Sequence, residues 1–225
     1  MGDRIKLTAT DGFTFNAYRA MPAGTARGGV VVIQEVWGIN SWVRSVADRF
    51  ARHGYLAVAP ALFDRLKMGF ESEDYAAGSS YATMGAQMKT FSFANALLDV
   101  EAAVKEASAG GKVGITGYCF GGAVTWRACH AGLGLSAGSG YYGGGIANYI
   151  DLEPKVPLEM HYGAKDTGIP LEQIETLKRR HPNVGVYTYD AVHGFCNSYR
   201  PTHFNEAACK KASARTLEFF HTHLA

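Results

Sequence analysis

Four residues of this chain have types suited to acyl-transfer chemistry, and each follows a short apolar run that reads as a strand. Cys119 follows Val113–Tyr118 and is flanked by Gly117, Gly121 and Gly122, after which a helical pattern begins. That spacing predicts a strand, a sharp elbow and a helix, with Cys at the exposed apex of the turn. The helix aims its N-terminal amides and positive end at the sulfur, which favours a thiolate and any developing oxyanion. Asp166 follows a run over 158–162, and His193 follows one over 184–190. A thiol is mostly protonated near neutrality, so His193 is needed to take its proton. Asp166 would fix the imidazole tautomer and balance its charge. Glu35 ends the run 30–34. A carboxylate there could touch the thiol and hold it protonated until substrate arrives. The backbone N–H of Phe120, beside that of Val36, would form the oxyanion hole. Each residue also has a plainer reading: a small buried hydrophobe for Cys119, a turn acid for Asp166, a surface loop histidine for His193, a solvated strand end for Glu35. The joint pattern favours chemistry, because nucleophile, acid and histidine come in that order, each after a strand pattern.

The elements that must position these groups are legible in the periodicity. Residues 4–10 and 14–20 alternate around Asp11-Gly12, which predicts a hairpin. Runs at 30–34, 55–59, 113–118, 135–142, 158–162 and 184–189 read as strands, the first, second and third as continuous buried runs. Helical spacing recurs from Asn40-Ser41 to Gly54, from 89 to 109, after Cys119, after Pro170, and over 205–224. Residues 61–88 are the least regular and suit substrate-facing loops. Alternating strands and helices predict an α/β fold, and the nucleophile–acid–histidine order, which is the chain order of α/β-hydrolases, makes the expected fold of that type. That means a single mostly parallel sheet with helices on both faces, one domain over 1–225, and no separate cap domain. In such sheets, chemistry gathers beyond the carboxyl ends of the strands.

Composition narrows the partners. The chain has 225 residues and 47% hydrophobic content, enough for one full core. Its formal charge of +2 comes with no basic cluster, which argues against nucleic acid and anionic membrane. Cys119, Cys129, Cys196 and Cys209 show neither a CxxC nor a zinc-like spacing, so they read as reduced thiols of a cytoplasmic protein. The first residues are too polar for a signal peptide, and no apolar run is long enough to span a bilayer. His221 and His223 fall on different faces of the last helix and read as surface residues, not metal ligands.

The sequence resembles the dienelactone hydrolase (carboxymethylenebutenolidase-like) family of α/β-hydrolases. The resemblance is carried by Gln34-Glu35-Val36-Trp37-Gly38-Ile39-Asn40, Gly117-Tyr118-Cys119-Phe120-Gly121-Gly122, Tyr141-Tyr142-Gly143, Gly163-Ala164-Lys165-Asp166 and Ala191-Val192-His193-Gly194-Phe195, which run in family order. It implies a Cys119–His193–Asp166 triad and a Glu35 that contacts the resting thiol until substrate displaces it. It also implies hydrolysis of an enol-lactone or ester through a thioester, with no metal or organic cofactor. The family grips a substrate carboxylate with two arginines; here Asn197 stands at one position and Tyr81 lies near the other. Neither replaces a bidentate guanidinium. Trp37, Tyr81, Tyr142, Phe195 and Asn197 are therefore the expected substrate pocket, with Arg65 or Arg200 as relocated cations. The expected partner is a small ester or lactone, and the expected assembly a monomer or weak homodimer. The alternatives are a general carboxylesterase or lactonase for neutral substrates, a thiol redox protein using Cys119 and Cys196, and a non-catalytic binder of small molecules.

Overall fold

A computed structural model describes residues 2–75 and 88–225. Eight strands form one sheet in the order β1-β2-β4-β3-β5-β6-β7-β8. They are β1 (Asp3–Thr8), β2 (Thr14–Ala20), β3 (Gly29–Ile33), β4 (Leu56–Pro60), β5 (Val113–Tyr118), β6 (Leu135–Tyr141), β7 (Leu158–Gly163) and β8 (Gly185–Tyr189). The hairpin β1–β2 is antiparallel and joins β4 antiparallel; every pairing from β4 through β8 is parallel. Strands β3, β4 and β5 are buried along their whole length, as continuous apolar runs require when helices cover both faces.

The helices are α1 (Ser41–Arg52), α2 (Phe93–Ala107), α3 (Phe120–Ala131), α4 (Leu171–Arg180) and α5 (Glu206–Leu224). Side chains of Asn40, Ser92 and Asn205 cap α1, α2 and α5 by accepting first-turn amide hydrogens. Phe50 of α1 meets Phe220 of α5 at 6.0 Å, and α1 and α5 lie together against the sheet. Helices α2 and α3 pack on each other and on β3 to β6. Val100 and Val104 of α2 are buried, but Phe93 and Leu97 are only half-buried, and Ala96, Ala103 and Ala107 complete the inner face. Small alanines let the helix lie close to β3 and β4, and the larger residues are left for its flank.

The cysteines correct one expectation: Cys196 and Cys209 form a disulfide across a separation of 13 residues, and only Cys119 and Cys129 are free. Sequence spacing could not reveal it, because the bridge joins a loop to the first turn of α5. No helix among the described residues is long and apolar enough to cross a membrane.

Candidate active site

The elbow after β5 is built by close approach. A Cβ at Gly121 would lie 2.6 Å from the carbonyl oxygens of Ile33 and Gln34, and one at Gly117 would lie 2.1 Å from that of Gly121. Only hydrogen fits there, so α3 starts pressed against the ends of β3 and β5. That contact brings the Phe120 amide beside the segment beginning at Glu35. Cys119 sits at the apex with φ 55°, ψ −115°, a region non-glycine residues enter at a cost of about 1–3 kcal/mol. Its own amide donates to the Tyr141 carbonyl at 3.0 Å, and its carbonyl accepts from Gly122 at 2.9 Å, which offsets part of that strain.

Asp166 and His193 come from neighbouring strand ends zipped together. The Ala164 amide donates to the Tyr189 carbonyl at 2.7 Å, and the Lys165 amide to the Ala191 carbonyl at 2.9 Å. Asp166 is buried; its Oδ1 accepts from the Gly168 amide at 2.8 Å and its Oδ2 from His193 Nδ1 at 2.7 Å. With Nδ1 donating to the carboxylate, the other ring nitrogen is left for Cys119, which acts on the imidazole. Burial alone would lower the His193 pKa. The hydrogen bonds to Asp166 and Cys119 and the charges of both outweigh it and push it up to about 10. The arrangement therefore suits the imidazole to take and hold a proton.

Glu35 is not a solvated strand end; it is 1% exposed. Its Oε2 accepts from Asn197 Nδ2 at 2.6 Å, and its Oε1 has no hydrogen-bond partner, so no hydrogen bond joins it to the Cys119 thiol. Burial raises its pKa to about 7, against the opposing pull of the Asn197 hydrogen bond, the His193 and Arg200 charges and the Tyr142 hydroxyl. Asn197 is fully buried and ties its Oδ1 to the Tyr199 amide at 3.0 Å. The carboxamide at this position is thus committed to Glu35.

The other expected pocket residues divide. Tyr142 and Phe195 are fully buried and meet edge-on 5.3 Å apart behind His193, so they back the site. Trp37 meets Tyr75 edge-on at 5.0 Å, with the Arg200 guanidinium 5.0 Å above its ring. Tyr81 lies outside the described residues. An aromatic wall stands beside Cys119: half-buried Phe120 contacts Phe91 at 4.9 Å, Phe63 at 5.1 Å and Phe93 at 6.0 Å. Arg65 is not a site cation. It pairs with Asp99 and Asp11, each at 2.8 Å, with Phe13 beneath it. Cys196, the resolving thiol of the redox reading, is bonded to Cys209 instead. Among the described residues, no cluster of three or more potential metal ligands forms.

The sequence profile of the dienelactone hydrolase family matches residues 15–224. The chain belongs to this family. It is similar to carboxymethylenebutenolidase 1 of Cupriavidus pinatubonensis, at 29% identity with 97% of this chain and 96% of that protein covered. The carboxymethylenebutenolidase of Pseudomonas putida is 28% identical, with 96% and 94% covered. A solved Klebsiella pneumoniae protein, provisionally described as a dienelactone hydrolase, aligns with TM-score 0.81 at 28% identity, over 97% of this chain and 98% of that one. This dienelactone-hydrolase-like protein is a hydrolase acting on carboxylic ester or lactone bonds, built on the α/β-hydrolase fold.

Proposed function

We propose that the protein cleaves an enol-lactone or related ester with Cys119 as nucleophile, through a thioester, without metal or organic cofactor. The observation that carries this reading is the Asp166–His193 hydrogen bond, with Cys119 acting on the same imidazole from a strained elbow. His193 takes the thiol proton, and the thiolate attacks the carbonyl carbon. The oxyanion that forms is met by the Phe120 and Val36 amides. Collapse breaks the carbon–oxygen bond, and His193 returns its proton to the leaving oxygen. Water then attacks the thioester, giving its proton to His193; release of the acid restores the thiol. Mass spectrometry of protein quenched during turnover is expected to show an acyl adduct on Cys119. Cys119→Ala is expected to abolish turnover with the fold intact. An adduct elsewhere, or substantial turnover by the alanine variant, would overturn the assignment.

Within this reading, neutral or weakly polar esters and lactones are the favoured substrates. The support is the commitment of Asn197 to Glu35, the engagement of Arg65 elsewhere, and the aromatic wall around Phe120. The proposed partner is a small molecule, not nucleic acid or membrane, and the proposed assembly a monomer or weak homodimer. A cytoplasmic location belongs to the same proposal. It rests on a catalytic thiol that must stay reduced, and the Cys196–Cys209 bridge is the feature that opposes it.

A further inference from the structure

Two buried polar atoms of the site lack hydrogen-bond partners: Glu35 Oε1 and Tyr142 Oη. One is an acceptor when ionised and the other a donor. They are neighbours, since the Tyr142 hydroxyl acts on the Glu35 carboxyl and the Glu35 charge acts back on the phenol. A buried donor or acceptor left unpaired is costly, and each is the other's natural remedy.

The backbone also marks Tyr142. It follows β6 with φ 37°, one of three non-glycine residues at positive φ among the described residues, with Cys119 and Leu133. Its amide is tied to the His161 carbonyl at 2.7 Å. Its ring is wedged between His193 at 5.0 Å and Phe195 at 5.3 Å, with Tyr118 and Tyr141 each at 6.2 Å. An aromatic residue is strained in this backbone region, and ring packing alone would not require a hydroxyl at the buried end.

We propose that Tyr142 is a positioning residue whose hydroxyl donates to the Glu35 oxygen that Asn197 leaves free, so that Tyr142 and Asn197 together fix the carboxylate with neither oxygen hydrogen-bonded to the thiol. The carboxylate then has a donor for each oxygen, and its place is set by two buried neighbours, one from the end of β6 and one from the loop between β8 and α5. The inference rests on the reading of Glu35 as part of the active site. The other groups acting electrostatically around Glu35 come from three directions. His193 and Arg200 lie on the loop after β8, Tyr118 ends β5, and Tyr75 stands on the segment following Glu71. Cys119 acts on the same Tyr142 hydroxyl. Among these, Tyr142 is the neighbour with an uncommitted buried hydroxyl.

Tyr142→Phe removes the hydroxyl and keeps the ring. With carboxyl-labelled glutamate, the 13C titration of Glu35, assigned by its loss in Glu35→Gln, is expected to move up by about one unit, a tenfold change in proton affinity. Ester hydrolysis is expected to fall in Tyr142→Phe, yet the same substitution is expected to change little when made in Glu35→Gln. An unmoved Glu35 titration, or an equal loss of activity in both backgrounds, would overturn the proposal and leave Tyr142 as packing. The titration does not depend on which residue is acylated, so its failure is separable from failure of the Cys119 assignment.

Discussion

At the scale of single residues, two shifted groups govern the site in opposite ways. His193 is raised to about 10 by Asp166 and the facing thiol, which outweigh burial. Glu35 is raised to about 7, chiefly by burial. The folded chain therefore holds the Glu35 proton more tightly than the unfolded chain, where a glutamate titrates near 4.5. The ionised carboxylate opposes folding fully above about pH 7, and the opposition disappears as pH falls below the unfolded value. Glu35→Gln is accordingly expected to stabilise the protein by about 1–3 kcal/mol near pH 8 and by little near pH 4, as read by denaturant unfolding at each pH. A negative charge near the thiol also disfavours a thiolate. The same variant should therefore raise the alkylation rate of Cys119 without substrate; an unchanged or lower rate would make Glu35 structural.

At the scale of elements, the loop from His193 to α5 is held at several points. Asn205 caps α5 and bonds the Asp190 carbonyl at 3.2 Å, the Asn205 amide reaches the Phe195 carbonyl at 3.0 Å, and the disulfide ties Cys196 to Cys209. A bridge closing a loop of this length is worth about 3 kcal/mol in the chain-entropy account. Reduction is therefore expected to lower the unfolding midpoint. Because Asn197 follows Cys196, reduction is also expected to lower kcat through looser support of Glu35 and His193. Equal stability and activity with and without reductant would show that the other ties suffice. Much of this scale was legible in the sequence. Strand patterns, the Cys119 elbow and the Asn40 cap depend on local spacing, and they lie where that spacing places them. What escaped depends on contacts between distant segments. Glu35 and Asn197 are 162 residues apart, and nothing local to either announces their hydrogen bond. Tyr142 looks like the end of an alternating strand, and its positive φ follows only from how β6 leaves the sheet beside His193. The cysteine pair was misread for the same reason.

At the scale of the whole molecule, the question is where the cations are spent. The net charge is only +2, and the arginines that might have reached the site are largely committed elsewhere. Arg65 is bound to Asp99 and Asp11, Arg44 to Glu71, and Arg127 lies between the rings of Phe93 and Tyr149. Arg200 is the cation left near Glu35; it lies over Trp37 and bonds His203 Nε2 at 2.9 Å. Moving a substrate carboxylate out of water requires charged donors in its place, and one stacked guanidinium beside a buried glutamate is a weak replacement for a bidentate pair. The aromatic wall of Phe120, Phe91, Phe63 and Phe93 offers an apolar or aromatic group far more contact. A neutral aryl ester or enol-lactone is therefore expected to show kcat/KM roughly tenfold or more above a carboxylated dienelactone of matched leaving group, a difference of about 1.4 kcal/mol in transition-state binding. Arg200→Ala is expected to change the neutral reaction little. If the carboxylated substrate is preferred instead, and Arg200→Ala removes that preference, then Arg200 holds the carboxylate and the neutral-substrate reading fails.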